Sequence, residues 1–252
     1  MQARILDARR GTQWLLEGWR VFRAAPFRWP AVVFLYMFFT QAVPLIPLIG
    51  VAALLLIPVF TVGLYSFARS AARGGPLEVR MLFSGFRSPL RPQLLLGGLY
   101  AAATLLVVVA VRFADSDGVL HALFTGVHKE PVVASDLIAV LALFALAYMP
   151  VSMMFWFAPL LVAWHSASVP KSIFFSFMAF LLNWRAFLSY GGTLAIFLLA
   201  MVLVLTVFGL THDTAAATVG AIPYLFGAFF AVGLPVLYGS FYATYEDIFG
   251  AT

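Results

Sequence analysis

Six apolar runs constrain this chain more than any other feature: about Trp29 to Ile46, Ile49 to Ala68, Pro92 to Val111, Asp136 to Trp164, Ala186 to Leu210 and Val219 to Tyr245. Each can cross about 30 Å of hydrocarbon at about 1.5 Å per residue, so each is predicted as a transmembrane helix. A soluble fold cannot hide them. Of 252 residues, 63% are apolar and 10% charged, against about 45–50% and about 25% in soluble domains. So few charges cannot coat a globule in water. The sequence therefore predicts an all-α polytopic membrane protein, with one integral membrane domain over residues 1–252. The first two runs flank Pro47 and Leu48 inside Pro44-Leu-Ile-Pro47-Leu-Ile-Gly50, which predicts a tight hairpin. The fourth and sixth runs exceed one perpendicular crossing, and tilt, a proline kink or an interfacial extension must absorb the excess.

Basic residues set the orientation, because basic loops stay on the cytoplasmic side. Thirteen of the 15 lysines and arginines precede the first run, separate the second from the third, or separate the fourth from the fifth. Only Arg112 and Lys129 fall opposite, where Asp115, Asp117, Glu130, Asp136 and Asp213 also lie. Both termini are predicted cytoplasmic. The net charge of +5 is then an asymmetry of topology and gives no reason to expect a nucleic-acid partner. No cleavable signal peptide is apparent, since no small-residue cleavage site follows a short apolar core. A bacterial inner membrane, crossed several times, is the expected location.

An amphipathic segment precedes each odd-numbered run. In the first, Leu15, Gly18, Trp19 and Phe22 share a helical face opposite Gln13, Glu17 and Arg20. In the second, Val79, Leu82, Phe83 and Phe86 oppose Arg80, Ser84 and Arg87. The third, from Pro170, carries a narrow stripe of Ser172, Ser176, Ala179 and Asn183, suited to close packing against another helix. At an offset of 94 residues, Pro76, Phe83, Phe86, Arg91 and Gly97-Gly98 match Pro170, Phe177, Phe180, Arg185 and Gly191-Gly192. The even-numbered runs share a motif: Pro58 to Tyr65, Pro159 to Ser166 and Pro235 to Tyr242. These matches predict three repeat-like units, about 7–70, 71–165 and 166–252, each an interfacial helix followed by a transmembrane hairpin.

If the units share an orientation, three kinked even-numbered helices converge on an axis along the membrane normal. Kinks at equivalent depth either open a shared cavity or only let short helices pack. The candidate lipid or substrate contacts are accordingly Pro58, Tyr65, Pro159, His165, Pro235 and Tyr242. Arg80, Arg87 and Arg91 join them from a cationic collar at headgroup level. The candidate contacts to a partner helix are Ser172, Ser176 and Asn183. Trp14, Trp19, Trp29, Trp164 and Trp184 lie near the inner boundary as an aromatic belt. Asp136 and Asp213 read as helix caps at the outer side. Asp115, Asp117, His121, His128 and Glu130 could ligate a divalent metal, although Leu120, Phe124 and Val127 fit an amphipathic helix equally well.

Enzyme signatures are missing: the chain has no H-E-x-x-H, no G-x-S-x-G and no Gly-rich phosphate loop. With no cysteine and four histidines, no catalytic, metal or cofactor site is assigned and no enzyme is expected. The run Gly18-Trp-Arg-Val-Phe-Arg-Ala-Ala-Pro26, with Trp29, the Ile46-Pro47-Leu-Ile-Gly50 turn, Pro58 and the Leu82-Phe-Ser-Gly-Phe86 segment, resembles an uncharacterised family of bacterial inner-membrane proteins with six helices. It is distantly similar to the membrane domain that accompanies some glycerophosphodiester phosphodiesterases. The resemblance implies a membrane fold and carries no catalytic residue. The expected function is binding, sensing or transport of a lipid or other amphipathic molecule, with membrane lipids as partners. The alternative is a structural or assembly role beside another membrane protein or a second copy of the chain.

Overall fold

The computed structural model describes residues 3–46, 49–115, 118–119, 134–211 and 227–250, and among them the chain forms helices and connections without strands. Helix α1, Arg10–Ala24, is the first amphipathic segment. Helix α2, Arg28–Met37, continues through a π-helical turn, Phe38–Ala42, and a 3-10 turn, Val43–Leu45. Pro44 has no N–H to extend the ladder, so the first predicted run ends in looser and tighter turns instead of one straight helix. Helix α3, Gly50–Ala72, holds Pro58 in its interior. After a nine-residue 3-10 helix, Val79–Arg87, come α4, Leu90–Ala114, and α5, Ala134–Phe155. Helices α6, Ala158–His165, α7, Val169–Leu182, and α8, Trp184–Thr211, follow. A second π-helical turn, Phe229–Gly233, leads into α9, Leu234–Phe249. By length and composition, Gly50–Ala72, Leu90–Ala114, Ser135–His165 and Trp184–Met201 can each cross a membrane.

Glycine and serine decide how the amphipathic segments pack. A Cβ on Gly18 would overlap the Val236 carbonyl, and one on Gly11 the Ala186 carbonyl, so α1 lies with its backbone against α9 and α8. The 3-10 helix meets α3 the same way: a Cβ on Gly63 would overlap the Leu82 carbonyl, and one on Gly85 the Val59 carbonyl. Helix α7 packs on α5 and α6 through fully buried Ser172, Ser176 and Ala179. Each amphipathic segment therefore covers an even-numbered predicted run other than the one in its own hairpin. The main core lies between them, where Trp29 stacks on Phe67 at 5.5 Å beside Leu64, Phe157 and Ile248.

The packing of two amphipathic segments follows their backbone. The second amphipathic segment is a 3-10 helix. Its three-residue period aligns Leu82 with Gly85 on the buried face, leaving Phe83 and Phe86 each 41% exposed. On α1 the buried face is Gly11, Trp14, Gly18 and Val21, while Trp19 remains 42% exposed. Backbone contact at Gly11 and Gly18 fixes the helix rotation, overriding the face with the largest apolar side chains. The matched glycine pairs also differ in surroundings: Gly97 presses on the Leu55 carbonyl, whereas Gly191 and Gly192 have no neighbour within 4 Å of an added Cβ among the described residues.

Because a backbone carbonyl cannot move aside as a side chain can, Gly18→Leu and Gly63→Leu should each destabilise the protein by about 3 kcal/mol or more, the upper end of overpacking costs. Gly192→Ala should leave stability unchanged or raise it by about 0.5–1 kcal/mol. Thermal unfolding in detergent micelles measures both.

Candidate functional site

The proline-bearing segments are held by side chains inserted into, or against, interrupted backbone. Between α5 and α6 the helical ladder opens because Pro159 has no N–H to donate. Ser176 fills the gap: its Oγ donates to the Met153 carbonyl at 2.7 Å and accepts the Phe157 N–H at 3.0 Å. In an unbroken helix those two backbone groups would bond each other. Buried Gln93 on α4 donates from Nε2 to the Pro159 carbonyl at 2.9 Å. Buried Trp29 donates from Nε1 to the Pro235 carbonyl at 2.8 Å. Beside Pro58, Thr61 Oγ1 donates to the Ile57 carbonyl at 2.8 Å and meets the Tyr36 hydroxyl at 3.2 Å.

These interruptions surround a half-open cavity of about 230 Å³. Helix α3 contributes Ile57, Pro58, Thr61 and Tyr65; α5 and the break after it contribute Tyr148, Ser152, Phe155, Trp156 and Pro159. Tyr238 and Phe241 of α9, Tyr36 of α2 and Tyr100 of α4 complete the wall. No lining residue is charged at neutral pH. Some hydroxyls satisfy one another, Tyr36 with Thr61 and Tyr100 with Tyr148. Tyr65, only 6% exposed, and Tyr238 have no hydrogen-bond partner among the described residues. The indole Nε1 of Trp156 is buried without a partner as well.

Of the residues singled out by sequence, Pro58, Tyr65 and Pro159 come together in this wall, and Pro235 lies one turn behind Tyr238. His165 does not line the cavity; its Nε2 pairs with the Tyr245 hydroxyl at 2.8 Å. Tyr242 also lies outside it and donates to Glu246 at 2.7 Å. Arg80 pairs with Glu78, while Arg87 and Arg91 stand exposed, all outside the cavity. The partner-helix contacts are corrected: Ser172, Ser176 and Asn183 are at most 1% exposed and face this chain's own elements. Asn183 accepts the Leu6 N–H at 2.8 Å and donates to the Arg4 and Ala179 carbonyls, each at 2.9 Å. The tryptophan belt is corrected in part, since Trp14 and Trp29 are wholly buried while Trp184 is 55% exposed. Asp117, His121, His128, Glu130 and Asp213 lie outside the described residues. Among the described residues, no three histidine, aspartate or glutamate side chains gather as a metal site.

Sequence reasoning missed Tyr36, Tyr100, Tyr148 and Tyr238. Their signal was position: tyrosine in membrane helices favours the interfaces, whereas Tyr36, Tyr100 and Tyr148 lie well inside their apolar runs. Mid-run hydroxyls need a partner, and here they find one another or the cavity.

No family model and no solved structure matches the chain. Over 201 residues it is 36% identical to the probable inner membrane protein BTH_II0599 of Burkholderia thailandensis, an alignment covering 76% of this chain and 74% of that protein. The chain belongs to this family of inner-membrane proteins. In this family member a polar junction outside the cavity ties α1 to the end of α9. Arg10 Nε donates to Asp247 Oδ2 at 2.8 Å, and Trp14 Nε1 donates to the same oxygen at 2.7 Å. Glu17 reaches Arg10 Nη2 at 3.0 Å. Burial, with the Asp247 charge second, pushes the Glu17 carboxyl above its ordinary value against the opposing pull of Arg10.

The raised Glu17 carboxyl makes stability depend on pH. A carboxyl raised in the folded state binds its proton more tightly there, so folding loses stability as pH rises from its ordinary value through the raised one. Glu17→Gln keeps a side chain able to accept from Arg10 and removes that penalty. Its melting temperature should match wild type below the ordinary glutamate range and equal or exceed it at neutral pH. Asp247→Asn strips Arg10 and Trp14 of a charged acceptor, and should cost about 2 kcal/mol at neutral pH. Unfolding scans from pH 4 to 8 would separate the two variants.

Proposed function

We propose that this inner-membrane protein binds a lipid or other amphipathic molecule in the cavity between its proline-interrupted helices, as a binding, sensing or transport component without enzymatic chemistry. The observation that carries the reading is the cavity itself: walls that are largely aromatic and apolar, with the Tyr65 and Tyr238 hydroxyls unpaired among the described residues. Such a site suits a molecule with an apolar body and a few polar atoms. Its partners are membrane lipids.

The architecture that goes with this reading has six crossings, cytoplasmic termini and three units of about 7–70, 71–165 and 166–252. In its support, the amphipathic segment of the second unit packs on α3 of the first, that of the third on α5 and α6 of the second, and that of the first on α9 of the third. This succession closes a ring, and the cavity lies among the same even-numbered helices. The distant similarity to the membrane domain accompanying glycerophosphodiester phosphodiesterases belongs to this reading too, on packing motifs alone.

Native mass spectrometry of protein released from nanodiscs of inner-membrane lipid tests it. Wild type should retain an amphiphile enriched at least tenfold over its share of the bilayer, and Ser152→Phe, which fills the cavity from α5, should lose that enrichment. Equal retention by both, at bulk composition, would overturn the proposal.

A further inference from the structure

Resting on that reading, we infer that the head of the molecule bound beside Tyr65 and Tyr238 is uncharged and carries oxygen atoms that pair with their hydroxyls, as in a diacylglycerol or an isoprenoid quinone. Three observations bear on the class of ligand. The first is charge. Among the described residues no lysine, arginine, histidine, aspartate or glutamate lines the cavity, and an ion moved there from water loses solvation with no counter-charge among them to restore it. Arg80, Arg87 and Arg91, which would suit a phosphate, all stand outside.

The second observation is the set of unpaired groups. The hydroxyls of Tyr65 and Tyr238 have no partner among the described residues, and neither does the indole N–H of Trp156. The indole nitrogen is fully buried, so the hydroxyls of Tyr65 and Tyr238 are the unpaired groups that a bound head meets, and each can donate its proton to an oxygen of that head.

The third is size. At about 230 Å³ the cavity falls below the roughly 300–1,000 Å³ of sites that enclose a whole small molecule. It accommodates a compact head, and the half-open side leaves the tails outside. The aromatic wall of Tyr148, Phe155 and Phe241 offers flat faces to a ring or an ester group.

The test uses the full chain in nanodiscs of zwitterionic lipid and four probes: a diacylglycerol, a short-chain isoprenoid quinone, phosphatidylglycerol and phosphatidylethanolamine. Binding is read by native mass spectrometry, and contact sites by photoreactive versions of each probe. One neutral probe should bind at least tenfold tighter than both phospholipids, with crosslinks near 58–65, 148–159 and 238–241. Diacylglycerol in front identifies an ester head, and quinone in front a ring head. Tyr65→Phe and Tyr238→Phe should each weaken that probe five- to thirtyfold, while Tyr242→Phe, outside the cavity, should not. A phospholipid bound in the cavity as tightly as the neutral probes overturns this inference and leaves the proposed function standing. Unchanged affinity in all the folded cavity variants overturns it likewise. No crosslink to the cavity from any probe overturns both.

Discussion

Where α5 gives way to α6, one serine hydroxyl stands in for a helical hydrogen bond, and much of the site depends on that exchange. Inside a membrane, backbone groups have no water to turn to and must be satisfied by the protein. Ser176 donates to the Met153 carbonyl and accepts from the Phe157 N–H, spanning the opening that Pro159 imposes. The helix can then change direction without stranding either group. That change places Trp156 and Pro159 in the same cavity as Pro58 and Tyr65 of α3 and Tyr238 of α9. Gln93 and Trp29 act from other helices on the carbonyls of Pro159 and Pro235, using the second lone pair that a carbonyl oxygen keeps. The cavity is thus bounded by segments tied together by these bonds, and Tyr65 and Tyr238 carry the wall hydroxyls left without a partner among the described residues.

The amphipathic segments fix the positions of these helices by two different physical means. Gly11, Gly18, Gly63 and Gly85 bring backbone against backbone, a contact whose geometry tolerates almost no sliding. The polar junctions add direction. Asn183 holds the backbone at Arg4 and Leu6, and Arg4 donates its N–H to the Ile248 carbonyl at 3.1 Å. Arg10 and Trp14 then converge on Asp247. The chain's N-terminal segment is therefore fastened both to the start of α8 and to the end of α9, regions distant from it in sequence. This long-range closure explains why α1, whose sequence alone suits a surface-lying helix, has Trp14 and Val21 in contact with the protein interior.

The apolar runs made the all-helical membrane class legible, because their length and lack of charge leave no other means of satisfying backbone. The proline motif of the even-numbered runs was also legible, and it brought Pro58, Tyr65 and Pro159 into one wall. Other features depended on neighbours that periodicity does not reveal. The stripe of Ser172 and Ser176 announced a close helix contact, but nothing local distinguishes a helix of another protein from α5 and α6 of the same chain. Which residues of the second amphipathic segment meet the protein was not legible, because a 3-10 helix repeats every three residues and its Leu82 and Gly85 answer to Gly63 and Val59 across the contact. Trp14 and Trp29 looked like interfacial anchors until their indole N–H groups met Asp247 and Pro235 inside the protein. His165 and Tyr242 carried the right chemistry at the end of the motif but face Tyr245 and Glu246, whereas Tyr65, at the same offset from its proline as Tyr242, lines the cavity.

Charge is segregated in the same molecule in a way that bears on selectivity. Arginines stand exposed at Arg87 and Arg91, or pair with carboxylates at Arg10, Arg73 and Arg80. The cavity holds tyrosine, serine and threonine hydroxyls in their place. Under the proposed function, a phosphate-bearing lipid would meet its counter-charges at the exposed arginines, where water and screening keep each contact weak and interchangeable. A head entering the cavity would exchange water for neutral hydroxyls among aromatic faces, where a mismatched hydrogen bond costs more than at the surface. The two environments would then select on different grounds, one by charge and loosely, the other by shape and hydrogen-bond pattern.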